Sequence, residues 1–455
     1  MQEFLRENMI NVPLDVDVAV IGSGSGGVTA AIGAARQGAK VLLIEKNGYV
    51  GGLLVSGLPF LGFLDAKQRP AIGGLAKQYV DELVKEGASY GVRYCPKHLS
   101  LVATAPPKAK LVTAKFLMDN GVHIMLHSYL IDATVENGQI TSVKCDCAGT
   151  RFSVKAKVYI DATGDGVLGA IAGAAFEKGD ASVDLQPASV IYTIGGVDKA
   201  RFMQWLEKHP EELQPYTLDY LKERPDFVFV TLGALWSKLY PAGEWPLKNI
   251  WAMIMMNRFN DTEVALNGPR MPVTDSTDAG SVTYAEIEGH RQANAFVECL
   301  RKYCEGFENA FVSHVNDTIG VRESRRIIGK KMLTEEDVVN SVINDETIAL
   351  GAYPIDIHSS TDFSSTFRHI EEPYGIPYLA TVSASIDNLM MSGRCISADS
   401  VAFGSSRVMG TCLAVGEGVG IGAALAAKEN IAPSEVNVAR IREILKANGA
   451  ILDMK

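Results

Sequence analysis

The sequence is poor in cysteine and lacks the cysteine spacings that carry metal or disulfide chemistry. Only 7 of its 455 residues are cysteine, too few and too scattered for a disulfide framework. The closest pair, Cys145 and Cys147, has one residue between its members instead of the two of a zinc or redox-active motif. We therefore expect no metal site and cysteines that pack as small apolar residues in a reducing compartment.

Long hydrophobic runs are also missing. No stretch reaches the roughly 18 apolar residues of a membrane-spanning helix, because the best candidate, residues 411–427, contains Glu417 and many glycines. The first residues include Glu3, Arg6 and Glu7 and so lack the apolar segment of a signal peptide. These features predict a cytoplasmic protein without a membrane partner.

Basic residues are outnumbered by acidic ones. The chain has 43 Lys and Arg against 53 Asp and Glu, a formal net charge of −10, and no run of basic residues. An acidic chain without a basic stripe repels a phosphate backbone, so we expect no nucleic-acid partner. A content of 47% hydrophobic and 21% charged residues is typical of a globular protein and excludes disorder, a coiled coil or a collagen repeat. The length suits about three domains, or two larger α/β units that share one cofactor.

The sequence does contain a complete β-α-β unit near its start. Residues 16–21 form a β-branched apolar run that predicts a buried strand. After a glycine-rich turn, the alanine-rich residues 28–37 predict a helix that ends at Gly38. Residues 41–44 then predict a second buried strand. This order is typical of a nucleotide-binding unit.

The turn of this unit matches the dinucleotide motif G-x-G-x-x-G at Gly22, Gly24 and Gly27. The first glycine permits a tight turn, the second lets the backbone approach a pyrophosphate, and the third allows helix and strand to pack closely. Glu45 follows 23 positions after Gly22, where a carboxylate can accept the ribose hydroxyls. A glycine-rich turn with a surface glutamate is the alternative. The agreement of the whole unit favours a dinucleotide, FAD or NAD rather than NADP.

The rest of the chain divides by composition. The pair Asn137-Gly138 predicts a hairpin, and residues 120–133 and 154–160 predict strands. Helices are predicted at 284–307 and 334–344, and a closing helix at 412–428. The two ends share the strand-then-glycine pattern, and the middle has no phosphate loop. We therefore predict an α/β fold with a Rossmann-like domain built from both chain ends and an inserted α+β substrate domain. The Rossmann-like domain is predicted to comprise residues 14–180 and 378–455, and the inserted substrate domain to comprise residues 181–377.

Several further segments, in this order, resemble those of a known family. They are Gly51-Gly52, Ala162-Thr163-Gly164, residues 319–329, residues 353–358, residues 388–398, residues 406–409 and Gly416. Over about residues 15–427 the chain resembles the FAD-dependent oxidoreductases of the two-domain, glutathione-reductase-like type. That group includes the succinate dehydrogenase and fumarate reductase flavoproteins. Because no C-x-x-C motif is present, the resemblance does not extend to disulfide reductase activity.

The resemblance implies FAD as cofactor and assigns it residues. Gly22, Gly24 and Gly27 would hold the pyrophosphate and Glu45 the adenosine ribose. Gly51 and Gly52 would lie beside the flavin, and Gly416 and Gly418 would open a helix whose N-terminus faces the flavin N1/O2 edge. The remaining residues implied to bind FAD are Ala162, Thr163 and Gly164 on the adenosine side, and Gly393 and Arg394 at the ribityl–pyrophosphate. Asp399 and Gly410 depart from the family pattern, which has Thr or His and Pro there.

Three residues in the family-like segments are candidates for catalysis. His358 can move a proton near neutral pH, although a histidine satisfied in the core would fit as well. Arg322 and Arg407 can bind a carboxylate or polarise a carbonyl. The neighbouring Arg325 and Arg326 are better explained by a salt-bridge network with Glu323.

The predicted function is hydride transfer between a small organic substrate and N5 of FAD, with an unidentified electron donor or acceptor as partner. Two alternatives stay open. FAD could have a structural or non-redox role, as in a hydratase, or the chain could be an electron-transfer subunit without substrate chemistry. A tRNA-modifying flavoenzyme is disfavoured by the acidic charge. Whether the protein forms a homo-oligomer is not determined by the sequence.

Overall fold

The computed structural model describes residues 12–179, 185–213, 216–223, 227–247, 253–257, 259–271, 275–360 and 365–454. Within this part of the chain the strands are β1 (Asp15–Ile21), β2 (Val41–Ile44), β3 (Arg93–Cys95), β4 (Leu99–Leu101), β5 (His123–Met125), β6 (Tyr129–Glu136), β7 (Gln139–Cys147), β8 (Thr150–Asp161), β9 (Phe176–Lys178), β10 (Ala188–Gly195), β11 (Phe227–Val230), β12 (Ile254–Asn257), β13 (Val264–Met271), β14 (Phe311–Val315), β15 (Arg325–Ile327), β16 (Thr347–Gly351), β17 (Ile355–His358), β18 (Ser365–Arg368), β19 (Tyr374–Pro377) and β20 (Leu389–Met391). The α-helices are α1 (Ser25–Arg36), α2 (Gly74–Lys85), α3 (Pro106–Asp119), α4 (Val167–Ile171), α5 (Lys199–Lys208), α6 (Leu218–Glu223), α7 (Gly233–Leu239), α8 (Ala279–Tyr303), α9 (Glu335–Val339), α10 (Ser400–Ser406), α11 (Met409–Glu429) and α12 (Val438–Ala447).

The larger sheet joins both ends of the chain. Its strand order is β5-β2-β1-β8-β7-β6, and β20 also pairs with β8. The strands β5, β2, β1, β8 and β20 run parallel, whereas β7 and β6 continue the sheet antiparallel. β2 is buried along its whole length, as a strand covered on both faces requires. The sheet therefore has the α/β architecture predicted for the chain ends.

Helix α1 packs along α11 so closely that the two backbones touch. A Cβ atom at Gly416 would lie 2.4 Å from the carbonyl oxygen of Gly26, and one at Gly420 would lie 2.1 Å from that of Ala30. In the described chain α11 is the one helix long and apolar enough to cross a membrane, and 89% of its most apolar window is buried inside the protein. It is therefore a core helix of this fold.

A second sheet lies in the middle of the chain. It is antiparallel, with the order β11-β12-β13-β10-β14. The long helix α8 packs against β10, β13 and β14, and buried residues such as Phe202, Phe296 and Phe307 fill the space between the layers. This sheet and its helices form a hydrophobic core separate from that of the larger sheet.

The two cores do not divide where the predicted boundaries lie. Residues Ile348 and Tyr374, within the predicted 181–377 segment, are buried in the core of the larger sheet. The core of the second sheet draws on residues from Ala188 to Ile319. Packing by itself does not define units that fold separately, so the three-part division stays a prediction.

Most predicted elements are present, with two corrections. The hairpin at Asn137 and Gly138 joins β6 to β7, and both residues have the positive φ, 51° and 79°, that its turn requires. The predicted helix 334–344 is wrong beyond α9, because Ser341 adopts a φ of 53° and the chain turns back. Asn120 ends α3, so the strand predicted from that residue begins only at β5.

Candidate active site

The glycine loop between β1 and α1 has the form that the motif predicts. Gly22 has a φ of 99°, and a Cβ atom there would lie 2.5 Å from the carbonyl oxygen of Ala162. A Cβ atom at Gly27 would lie 2.0 Å from the carbonyl oxygen of Gly22. At Gly24, in contrast, the nearest atom to such a Cβ is 4.0 Å away. The first and third glycines are needed for packing, and the second leaves open space in front of the first turn of α1.

Sequence reasoning missed a contact that fixes this loop from the other end of the chain. The hydroxyl of Ser392 donates to the carbonyl oxygen of Gly26 at 3.0 Å. A Cβ atom at Gly26 would lie 2.5 Å from the backbone nitrogen of Gly393. The sequence does show Gly26 as a further glycine in the loop. Its partner Ser392 is more than 360 residues away in sequence, so only the folded chain reveals the contact.

Glu45 lies at the end of β2 and is only 5% exposed. Its Oε2 accepts hydrogen bonds from the backbone nitrogen of Ser23 at 2.9 Å and from the Ser23 hydroxyl at 2.5 Å. Its Oε1 accepts a hydrogen bond from the backbone nitrogen of Asn47 at 2.9 Å. The carboxylate also lines the cavity in front of the glycine loop. Glu45 therefore braces the loop while it presents oxygen atoms to a bound molecule, and it is not a surface residue.

Gly51 and Gly52 play different parts. Gly51 has a φ of 110° and its backbone nitrogen donates to the carbonyl oxygen of Ser23 at 2.9 Å. Gly52 lines the cavity, and a Cβ atom there would lie 3.3 Å from the Cα atom of Gly24. Of the pair, Gly52 lies where a bound molecule would pass, and Gly51 supports the loop behind it.

The turn after β8 closes the cavity on another side. Ala162, Thr163 and Gly164 all line it. The buried carboxylate of Asp161 holds this turn, because its Oδ1 accepts from the Thr163 nitrogen and hydroxyl, at 3.0 and 2.7 Å. Burial raises the pKa of Asp161.

Gly393 and Arg394 reach the cavity from the segment after β20. Arg394 donates from Nη2 to Oδ1 of Asp165 at 2.7 Å and from Nη1 to the carbonyl oxygen of Val321 at 2.7 Å. The guanidinium is thus held in place by an ion pair and a carbonyl. Its planar edge forms part of the wall beside the glycine loop.

The prediction that Gly416 and Gly418 open a helix is wrong. Helix α11 begins at Met409, so both glycines lie in its interior, and neither is among the residues that line the cavity. A Cβ atom at Gly416 would clash with α1, and one at Gly418 would clash with the side chain of Ile348. Met409 and Cys412, in the first turn of α11, do line the cavity together with the N-cap residue Val408. The helix N-terminus faces the cavity as predicted, but through other residues.

The two departures from the family pattern have local explanations. Asp399 caps α10, accepting hydrogen bonds at Oδ1 from the backbone nitrogens of Val401 and Ala402 at 3.0 and 2.8 Å. A Cβ atom at Gly410 would lie 2.4 Å from the carbonyl oxygen of Leu61. Neither Asp399 nor Gly410 is among the described residues that line the cavity. The two substitutions serve capping and packing.

One cavity of about 670 Å³ contains all of these lining residues and extends to a second group. The second group combines ionisable and apolar side chains from the second sheet, from the two-stranded sheet of β17 and β18, and from connecting segments. Its members include Lys97, His98, Arg270, Arg322, Tyr353, Asp356, His358, Arg407, Phe229, Met253 and Phe367. The three predicted catalytic residues are thus brought together in one wall, although they lie up to 85 positions apart in sequence.

The arginines of this wall are enclosed by the protein but face the cavity. Arg322 donates from Nη1 to the carbonyl oxygen of Pro187 and to the hydroxyl of Ser189, both at 2.6 Å. Arg407 donates from Nη2 to the carbonyl oxygen of Asp356 at 2.8 Å. Burial, with the nearby charges of Arg270 and Arg407, lowers the pKa of Arg322 to about 9. At that value the Arg322 guanidinium still carries its proton at neutral pH.

His358 forms a pair with Asp356. Its Nε2 lies 3.2 Å from Oδ1 of Asp356, and its Nδ1 is buried without a hydrogen-bond partner in the described chain. Burial, and then the charge of Arg322, lowers the pKa of His358 to about 3. The histidine and nearby arginines keep Asp356 ionised, with its pKa well below the usual range, despite burial. The pair is therefore a neutral imidazole beside a carboxylate.

Sequence reasoning missed several side chains of this wall. Arg270 and His98 stand in segments without a motif, and they reach the cavity only because of how the chain folds. Burial lowers the pKa of His98 to about 3. Tyr353 and Asp356 lie in segment 353–358. The resemblance of this segment to the family was the sequence signal that could have identified them. The Arg326–Glu323 ion pair, at 2.6 Å, is buried and structural, as predicted.

These features fit an extended dinucleotide. The Gly24 position leaves the room that a pyrophosphate needs next to the N-terminus of α1. Glu45 offers carboxylate oxygens on one side of that loop, and Gly52 with the first turn of α11 borders the space on the other. The cavity continues beyond the glycine loop into the wall of ionisable groups.

We predict that Glu45→Gln weakens binding of the dinucleotide by about 1–3 kcal/mol, the value of one charge-assisted hydrogen bond. An amide nitrogen cannot accept the hydrogen bonds from Ser23 or Asn47 that the carboxylate accepts. The fold should survive, because the other hydrogen bonds of the loop remain. Titration of the apoprotein with the dinucleotide measures the change. The exposed Glu136→Gln is the matched control, and equal affinity in the two variants would contradict the prediction.

Comparisons with known proteins identify a family that matches most of the chain. Residues 17–445 match the family described as FAD dependent oxidoreductase. The mitochondrial dihydrolipoyl dehydrogenase of Sus scrofa is 31% identical over 160 residues, which are 34% of this chain and 29% of that protein. Thiamine thiazole synthase of Aeropyrum pernix is 28% identical over 159 residues, 32% of this chain and 54% of that protein.

One similar solved structure is that of a geranylgeranyl bacteriochlorophyll reductase-like protein of Thermoplasma acidophilum. Its TM-score is 0.46 at 14% identity, and the match covers 95% of this chain and 83% of that one. Likeness at this level indicates nothing about the substrate. The chain spans from under a third to about half the length of the curated relatives named above.

Proposed function

This chain belongs to the FAD-dependent oxidoreductase family, and we propose that it transfers a hydride between a small organic substrate and N5 of its FAD. Bound FAD would supply the acceptor or donor of that hydride. The observation that carries the proposal is the single cavity of about 670 Å³, in which the glycine loop and the wall of ionisable groups share one space. A substrate in that wall would lie next to the cofactor, away from bulk water.

The residues of the wall have separate tasks in this proposal. Arg322 and Arg407 bind and orient the substrate, since both line the cavity and the backbone carbonyl oxygens of Pro187 and Asp356 hold their guanidinium groups in place. His358 takes up or returns the substrate proton at Nδ1 while Nε2 stays bonded to Asp356. Phe229, Met253 and Phe367 exclude water from the same space. Hydride transfer from a carbon that bears a hydroxyl or amine requires such a proton acceptor.

A structural or non-redox role of FAD is the competing hypothesis. A purely structural FAD would require no proton carrier and no substrate-binding groups beyond the cofactor, whereas a non-redox enzyme such as a hydratase would require both. The position of His358, Arg322 and Arg407 in the wall of one cavity supports a catalytic role over a purely structural one, and flavin turnover in the experiment below separates hydride transfer from non-redox chemistry.

Anaerobic mixing of the FAD-loaded enzyme with a panel of small organic metabolites tests the proposal. We expect at least one compound to bleach the visible absorbance of the flavin, or to restore it after photoreduction, within catalytic times. Apoprotein without FAD is the control and should leave the same compound unchanged. A compound that is converted at equal rates by enzyme with oxidised and with reduced flavin, without any change of absorbance, would contradict hydride transfer.

A further inference from the structure

A cluster in the wall of the cavity, formed by Arg322, Arg407 and Tyr353, has the properties of an anion site. We call it the arginine site. Arg322 lies just before β15, Arg407 is the C-cap of α10, and Tyr353 precedes β17. All three line the cavity. They come from three separate segments and converge on one space, and the carboxylate of Asp356 is the acidic group that interacts with all three.

Hydrogen-bond donors remain available at each member of the site. Arg407 uses Nη2 on the carbonyl oxygen of Asp356, and its Nη1 is buried without a partner in the described chain. Arg322 is anchored through Nη1 alone, which leaves the other guanidinium nitrogens for a ligand. The hydroxyl of Tyr353 has no hydrogen bond to a described residue. Burial raises the pKa of Tyr353 well above its usual value, so the hydroxyl keeps its proton and can donate it.

The charges also favour an anion. Arg322 and Arg407 repel each other, and Arg270, which lines the same wall, adds to the positive potential at Arg322. Asp356 offsets part of this repulsion. Burying a guanidinium without a full counter-charge is costly, and a negatively charged ligand would relieve that cost. Two planar guanidinium groups match the two oxygens of a carboxylate.

Part of the remaining surface near the site is apolar. Phe229, Met253 and Phe367 line the cavity with Leu61 and Met409. Phe367 also packs edge-on against Tyr353, with ring centroids 6.1 Å apart. A ligand that places a charged group at the arginine site therefore has carbon surface around its other parts.

We propose that the substrate is a carboxylic acid with an apolar body, whose carboxylate is bound by Arg322 and Arg407 and accepts a hydrogen bond from Tyr353. This proposal rests on the proposed function, because it names the substrate class of the same cavity. It concerns recognition only and requires no further reactant.

Binding of simple acids to the FAD-loaded enzyme tests the proposal without turnover. The probes are benzoate and 3-phenylpropionate, with benzamide and 3-phenylpropionamide as neutral counterparts and inorganic phosphate as an anion without carbon surface. Isothermal titration calorimetry gives the affinities, and the difference spectrum of the flavin shows whether the probe lies beside the cofactor. We expect each acid to bind at least about tenfold more tightly than its amide, and more tightly than phosphate.

Variants assign the binding to the named residues. Arg407→Gln should raise the dissociation constant of the acids about 10- to 100-fold, and Tyr353→Phe about 2- to 10-fold, with little effect on the amides. Arg440→Gln removes an arginine that pairs with Glu429 at the surface and should leave the acids unaffected. The flavin absorbance of each variant confirms that it is folded and loaded.

The outcomes separate this proposal from the proposed function. The proposal of a carboxylic acid substrate would be overturned if amides bind as tightly as acids, if phosphate binds more tightly than both acids, or if no acid binds. Each of these results would overturn it even if the enzyme reduces its flavin with neutral substrates. Tight, arginine-dependent binding of acids by an enzyme whose flavin never turns over would leave the anion site standing and reject hydride transfer.

Discussion

A Gly24→Val variant is expected to fold normally and to be purified without FAD. Gly24 has a φ of −65° and a ψ of −172°, which any residue adopts, and a Cβ atom there meets no protein atom within 4.0 Å. The added side chain would occupy the space that the pyrophosphate needs. Overlap and lost hydrogen bonds should weaken FAD binding by on the order of 10²–10⁴-fold. Circular dichroism checks the fold, and fluorescence titration of the apoprotein checks the affinity.

Gly22→Ala is the matched control, because it should fail in the opposite way. Gly22 has a φ of 99°, and a Cβ atom there would lie 2.5 Å from the carbonyl oxygen of Ala162. The strain falls on the contact between β1 and the turn after β8, so the free energy of unfolding should drop whether or not FAD is added. If Gly24→Val binds FAD as the parent does, the cofactor does not use this loop and the assignment of the site is wrong.

A His358→Ala variant is expected to keep its FAD but to slow flavin reduction by its substrate by on the order of 10²–10⁴-fold, the usual contribution of acid–base catalysis. The imidazole lines the cavity, and its pairing with Asp356 leaves Nδ1 to accept a proton. Stopped-flow absorbance with the parent's substrate measures the rate. Arg407→Ala should instead raise KM chiefly, or lower kcat as well if the arginine also stabilises charge in the transition state.

The pH profile distinguishes a proton carrier from a structural histidine. Burial and Arg322 lower the pKa of His358 to about 3, so the imidazole is neutral and able to accept a proton at every pH above that value. The contribution of His358 to kcat/KM should therefore be constant from neutral pH down to about 5 and be lost only as pH falls toward the lowered pKa. A His358→Ala enzyme that reduces its flavin as fast as the parent, with an unchanged profile, would show that His358 is a core residue.

The local features of the cofactor loop could be read from the sequence because they depend on neighbours in the chain. The alternation of strand, glycine turn and helix around Gly22 and Gly27 fixes backbone angles and close contacts within a few residues. The hairpin at Asn137 follows from the same kind of local preference. The start of helix α11 was predicted wrongly because it depends on contacts with residues distant in sequence. The glycines at 416 and 418 resemble a loop in sequence, yet they are helical because α1 packs against α11 there.

What the sequence by itself determined is the fold class, the glycine loop with Glu45, and the segments in which the candidate catalytic residues lie. These depend on periodicity, glycine spacing and a family resemblance, all of which are carried along the chain. Only the tertiary structure decided that Arg322, Arg407 and His358 share one wall with Arg270, His98 and Tyr353. The lowered pKa of His358 likewise arises from burial among residues distant in sequence, and so does the Arg407 nitrogen that has no partner among the described residues. Burial and charge at a site are sums over neighbours in space, and the order of residues along the chain does not specify those neighbours.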